Sequence, residues 1–535
     1  MRRVHTRRAG LLVSLAAAVL AAAVLVATGA TAPTSAPTLV IDNSFTIKTS
    51  DPGRAFDPTA SMIDHAIYDT LFTYKGDDLA HPIPLLVSSW KASKNAETFT
   101  FQLKHNVQFA DKTPLTSADV VWSFKRLVNL KGNPAFLLAG VTVSASGKYT
   151  VVMHSKAPDT ELPVILANPS TGILNSALVT KNGGTDAANA AKADKAENWL
   201  NSPASAGAGS GPYTLSAYST TSQITLVPNA NSWEAAKSQW TSVVVRNMIA
   251  PTQLLNVARD SHEIAIDLSA DQAKTLASNK NVNVSLQPST WIFFLMANDN
   301  PKVSSVMANK DFQTAIRDAL DYSSLVSLAG QGAIQAPGLL PSMFLGALPQ
   351  SAGIKQDLTK AKAALAASGD ASQQVTLQYP SDLTINGVPF TSMAEKVQSS
   401  LQAAGFKVTL SGSPTSSWLN VYRSGKMAFG LSLWGPDYPD PADYLVFTPG
   451  NLVGLRAGWP KGSDPAIEKL AAKALVTTAP AARKSIYQQI QRMLNQSGPY
   501  YPLIQPTQVF VSTKDLKGAV YNAEYDVDIS QVSPA

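Results

Sequence analysis

From Val243 to Leu410 the chain switches repeatedly between two hydrophobic periods, and that switching restricts its fold more than any other feature. Residues 243–249, 263–268, 282–286, 374–379 and 406–410 are short apolar runs that read as strands. Between them lie stripes at helical spacing over 251–258, 311–320, 358–368 and 393–404. The second of these places Phe312, Ala315, Ile316, Ala319 and Leu320 on one face. Strands alternating with helices call for α/β packing, with helices laid on sheets. Trp291-Ile-Phe-Phe-Leu-Met296 has no polar break, so it is expected in a sheet covered on both faces. At 535 residues the chain exceeds one ordinary core and is expected to form two or three lobes.

The N-terminus carries an address. Arg2, Arg3, Arg7 and Arg8 precede an uncharged stretch over 10–26 and the small residues Ala27-Thr-Gly-Ala30. This is the pattern of a secretory signal peptide over 1–30, cleaved after Gly29 or Ala30. The alternative is an uncleaved membrane anchor, for which the apolar run falls short of the ~20 residues of a span. Residues 31–38 are a linker by composition, rich in Thr, Pro and Ala. Without the signal's four arginines, 39 basic residues face 37 acidic ones, so the apparent basicity belongs to the export segment. No Lys/Arg stripe interleaved with aromatics occurs, which argues against a nucleic-acid partner.

Several chemistries lack their residues. There is no cysteine, hence no disulfide, thiolate nucleophile or lipidated cysteine. Six scattered histidines without a His-Glu-x-x-His give no zinc site, and no metal or cofactor is expected. Gly209-Ser-Gly-Pro-Tyr-Thr-Leu215 is not a phosphate loop, because no Gly-Lys-Ser/Thr follows and the next segment reads as a strand. No Gly-x-Ser-x-Gly elbow is present.

One stretch has the composition of a small-molecule site. Gly430-Leu-Ser-Leu-Trp434 reads as a strand, and Gly435-Pro436 ends it. The following loop carries Asp437, Asp440 and Asp443 among Tyr438, Tyr444 and three prolines that make it rigid. Carboxylates orient a ligand and rings cover it, and rigid loops at strand ends are where such groups gather. A solvated acidic turn is the other reading. Asp440 before Pro441 is expected to brace the loop, and Asp443 to be solvated.

Further upstream, Ala66-Ile-Tyr-Asp-Thr-Leu71, Trp90, Phe99-Thr-Phe-Gln-Leu103 and Thr113-Pro-Leu-Thr-Ser-Ala-Asp119 form a dense pattern. Residues 98–103 alternate as a half-buried strand, and Thr116 with Asp119 suggests a capping box opening a helix. Together with Gly209-Ser-Gly-Pro-Tyr213 and Ala336-Pro-Gly-Leu-Leu-Pro341, these segments resemble the extracytoplasmic solute-binding proteins of the peptide/nickel (family 5) class, which serve ABC importers. Asp111-Lys112 departs from that family's usual Asp-Gly.

The resemblance implies an α/β chain with a bilobal periplasmic-binding-protein-like fold: two α/β lobes, an extra subdomain and a hinge of two crossing segments. Lobe I would comprise 39–288 and 504–535, with 65–200 as the subdomain, and lobe II 289–503. It implies a monomer without catalytic residues, periplasmic or extracellular, that takes a peptide or other small molecule and hands it to an ABC permease. In the family's Trp-x-x-Asp-x-x-Asp/Glu-Pro segment the first acid pairs with the ligand's α-ammonium, a position held here by Asp437. Trp434, Tyr438, Trp418 and Trp291 are the rings expected to cover the ligand. An oligosaccharide-binding member is the alternative within the family. A secreted hydrolase using Asp437 and Asp440 is the remote one.

Overall fold

Among the described residues the alternation of strand and helix resolves into two mixed sheets, a smaller antiparallel one and four two-stranded ribbons. The computed structural model describes residues 37–535 apart from 46 and 235–237, so the signal peptide and most of the linker lie outside the described residues. The linker is shorter than expected, since Thr38 already opens a strand.

The first sheet has seven strands, in the order Val282–Pro288, Thr507–Thr513, Glu263–Ala265, Thr38–Asn43, Ser242–Asn247, Gln223–Pro228 and Tyr213–Tyr218. Its centre is parallel, where Thr38–Asn43 pairs with both neighbours, and its flanks are antiparallel. The second sheet has six strands: Ile334–Gln335, Tyr500–Gln505, Ile292–Ala297, Phe429–Trp434, Gln374–Pro380 and Lys407–Ser413. Ile292–Ala297 is buried along its whole length, as an unbroken apolar strand in a sheet covered on both faces should be. The third sheet, Val87–Ala92, Thr98–Leu103, Thr150–Ser155 and Val141–Gly147, is antiparallel throughout.

Two passages join the large sheets. Ser289, Thr290 and Trp291 lead from Val282–Pro288 into Ile292–Ala297, and Pro506 alone separates Tyr500–Gln505 from Thr507–Thr513. The same two stretches of chain are paired antiparallel on both sides, Val282 with Thr513 through Pro288 with Thr507, then Phe293 with Ile504 through Met296 with Tyr500. Between the ladders Ser289 N donates to the Pro506 carbonyl at 2.8 Å.

Helix ends follow from local chemistry. Asp57 accepts from Ala60 N at 3.0 Å and Pro58 fills the first turn of Pro58–Ile67, so the helix begins before the 63–72 suggested by its apolar face. Thr116 donates its N–H and hydroxyl to Asp119 at 2.9 and 3.0 Å, starting Ser117–Leu130. That helix carries the buried Arg126, which donates to Asp51 at 2.7 and 2.6 Å and to Asp194 at 2.8 and 3.0 Å. Gly209 and Gly211 are required by close approach: a Cβ on the first would stand 2.1 Å from the Ile67 carbonyl oxygen, and on the second 2.7 Å from that of Ala66.

The third sheet does not have a separate core. Phe99, Phe101 and Leu103 belong to the same hydrophobic cluster as Phe294, Phe447 and Tyr500, which lie on and beside the second sheet. Helices Lys310–Ala319 and Phe390–Ala403 supply the cluster on the opposite face of that sheet.

Candidate functional site

Strand Phe429–Trp434 ends where Gly435 and Pro436 turn the chain out of the ladder. Gly435 is needed here because a Cβ would stand 2.7–2.9 Å from three ring carbons of Trp291, so the indole lies directly on the loop backbone. The loop is then fastened at two points. Asp443 accepts from Asp437 N at 3.1 Å and from the Trp434 indole N–H at 3.4 Å. Asp440 accepts from Ala442 N at 2.8 Å, starting the 3-10 turn Pro441–Phe447, and receives both terminal nitrogens of Arg483 at 3.0 and 2.7 Å. Asp440 therefore braces the loop as expected.

Asp443 corrects an expectation. It is not solvated but 4% exposed. A short acid among prolines looks like a surface turn, yet an indole N–H and a main-chain N–H draw it inward. Burial, with Asp437 beside it, raises its pKa well above the ordinary carboxylate range.

Asp437 itself faces a chamber of about 260 Å³ between the two large sheets. Trp291, Gly435, Pro436 and Asp437 form one side, from the first passage and the loop. The other side comes from the start of Pro58–Ile67 with Asp57, from Asn168, and from the C-terminal segment with Tyr521, Glu524 and Asp526. The Asp437 carboxylate accepts no hydrogen bond from any described residue, and burial pushes its pKa up to about 6. Burial likewise lifts Glu524 to about 8, against a 2.7 Å hydrogen bond from Asn168 Nδ2. Asp526 is lifted to about 7 by burial and then by Asp267 and Asp57.

Of the five residues expected at the site, Trp291 and Asp437 line this chamber. Trp434 stands behind the wall, its ring edge-on to Phe447 at 5.6 Å, and acts on the loop through Asp443. Tyr438 is half-buried against the core on the far side of the loop, where burial and the nearby Glu161 push its phenol upward. Trp418 does not reach the chamber. It is 3% exposed, on the buried face of Thr415–Arg423, with its ring stacked on Tyr422 at 5.3 Å. The four-residue spacing to Tyr422 made both rings part of the core.

Sequence reasoning passed over Asp57, Asn168, Glu524 and Asp526. The available signal was Glu524-Tyr-Asp-Val-Asp528, acids alternating with buried apolar residues at the end of the chain. No group of three His, Cys, Asp or Glu among the described residues could hold a metal ion. Among the same residues no helix is long and apolar enough to cross a membrane.

Two α/β lobes with an open chamber of rings and carboxylates where the chain passes between them define a binding protein of the bilobal type. The chain belongs to the bacterial extracellular solute-binding proteins of family 5, whose middle-region pattern matches residues 81–451. The probable D,D-dipeptide-binding periplasmic protein DdpA of Escherichia coli K12 is 29% identical over 492 residues, 90% of this chain and 91% of that one. The dipeptide-binding protein DppE of Bacillus subtilis 168 is 24% identical over 473 residues, 84% of this chain and 83% of that one. The crystal structure of the ABC transporter substrate binding protein CtaP from Listeria monocytogenes shares the fold, with a TM-score of 0.78 at 19% identity, covering 94% of this chain and 99% of that one.

Proposed function

We propose that the protein is the exported solute-binding component of an ABC importer. It captures a small peptide-like ligand in the chamber and presents it to a membrane permease. The observation that carries this reading is the half-buried carboxylate of Asp437, which lines the chamber without a hydrogen-bond partner on a loop fastened from both sides. A carboxylate taken out of water without a partner costs several kcal/mol, and a ligand ammonium supplies the missing partner. Trp291 covers the ligand's apolar surface, while Trp434 keeps the loop in place through Asp443. The protein acts by binding and not by turnover. Support comes from the family and from two relatives whose names specify dipeptides.

In this reading 39–288 with 504–535 forms one lobe and 289–503 the other, and they move about the two passages to admit the ligand. An oligosaccharide would find one tryptophan ring and several carboxylates in the chamber, a poorer match than an amine. Mass spectrometry of ligand released on unfolding should identify a short peptide. In calorimetry with that peptide, Asp437→Asn should weaken binding about tenfold to a hundredfold, the worth of a charge-assisted pair. Equal affinity in the variant would remove Asp437 from the role of amine anchor.

A further inference from the structure

We propose that the ligand carries a second cationic group, an amine or guanidinium, held by Glu524 and Asp526 on the wall formed by the C-terminal segment. This rests on the peptide reading above and names the class of peptide: one with a basic side chain.

Asp526 is the pointer. Asp526 lines the chamber and is 7% exposed, and its carboxylate makes no hydrogen bond or ion pair with any described residue. Its backbone sits at φ 59°, the left-handed region that a non-glycine residue enters only under local constraint. Glu524 is satisfied on one oxygen only, Oε1, by Asn168. Asp57 is already used, since its carboxylate caps Pro58–Ile67. That leaves Asp526 without a partner and Glu524 with one free oxygen in addition to Asp437, and the second oxygen of Asp57 adds to the same acidic wall.

No lysine, arginine or histidine lines the chamber to balance them. A ligand carboxylate would meet no cation inside, only neutral groups such as the Ser61 and Thr290 hydroxyls, whereas a second positive group has two acids. The acids do not converge as a metal site does, because no group of three among the described residues could hold an ion. The partner is therefore an extended organic cation. Phe56, Trp291 and Tyr521 in the same lining offer faces for the methylene stem of a lysine or the plane of a guanidinium. The raised pKa values of Glu524 and Asp526 fit this account, since an arriving cation is what such carboxyls need to ionise.

The test is calorimetry on the mature chain, stripped of bound ligand by unfolding and refolding, with Ala-Ala, Ala-Glu, Ala-Lys, Lys-Ala and the diamine cadaverine. The better of the two lysine dipeptides should bind about tenfold or more tighter than Ala-Ala, with Ala-Glu weakest. In E524Q/D526N the ratio of lysine dipeptide to Ala-Ala should collapse toward one. Both changes keep shape: glutamine still accepts from Asn168, and asparagine tolerates the left-handed backbone. The wild-type ratio carries the test without the variant. If Ala-Ala or Ala-Glu binds as tightly as the lysine dipeptides, the second cation is wrong and the peptide reading stands. If cadaverine binds and no dipeptide does, the acids are correctly assigned and the peptide reading falls. Binding of none of these probes overturns both.

Discussion

Burial raises the pKa values of Glu524, Asp526 and Asp437 to about 8, 7 and 6, and no cationic side chain in the chamber lining offsets it. The consequence for stability has a definite sign. An acid whose folded pKa exceeds its unfolded value, near 4, binds more protons when folded, so its contribution is whole below about pH 4 and is lost as pH climbs through the folded value. The melting temperature of the ligand-free protein should therefore fall between about pH 5 and about pH 8.5, with a shallower slope in E524Q/D526N. A melting temperature that rises over this range would mean these carboxyls are solvated. At this scale the sequence was a partial guide. Asp440 braces the loop as its place before Pro441 suggests and Asp437 lines the chamber, whereas Asp443 and Trp418 are buried away from solvent and chamber, because exposure depends on which neighbours fold over a residue. Nothing within 434–443 announces that an indole and an amide from the same loop will enclose one acid and leave another facing the chamber.

Elements were read with more success where a periodic pattern alone decides them. Thr98–Leu103 occupies the residues that alternation marks, and Ser117–Leu130 starts where Thr116 and Asp119 place it. The helix Pro58–Ile67 was read five residues late because Asp57-Pro58 looks like a turn, although the same pair is an N-cap followed by a proline-compatible first turn. Toward the C-terminus, Tyr500–Gln505 and Thr507–Thr513 are two strands, split where Pro506 has no N–H to give to a ladder. The contact between Trp291 and Gly435, 144 positions apart, was out of reach because no local pattern encodes it. It can be tested directly. Gly435→Ala should displace the indole, costing about 1–3 kcal/mol in chemical denaturation and weakening ligand binding. In a Trp291→Ala background the same substitution should cost little, so a double-mutant cycle isolates the contact. Additive effects would show that the ring does not press on the loop.

For the whole molecule, the chamber walls belong to different parts of the chain, with Asp437 on one side and Glu524 and Asp526 on the other. Without ligand, like charges face each other across the gap and favour separation once ionised. A bound cation reverses that balance. Small-angle scattering should thus report a smaller radius of gyration with saturating ligand than without, and the difference should widen as pH rises from about 6 to about 8.5. An unchanged radius would rule out lobe movement as the binding step. The passages between the sheets determine what kind of movement this is. Because the same two stretches pair on both sides of Ser289 and Pro506, with a register break over 290–292, the joint is a cross-linked pair of strands and not a pair of independent linkers. A strip flexes across its flat face, whereas sideways flexing would shear the hydrogen bonds between its strands. In the proposed closure it would work like a leaf spring, passing one rotation and resisting sway. Such a joint would bring the two walls back to the same alignment at each closure, without help from the side chains that meet there.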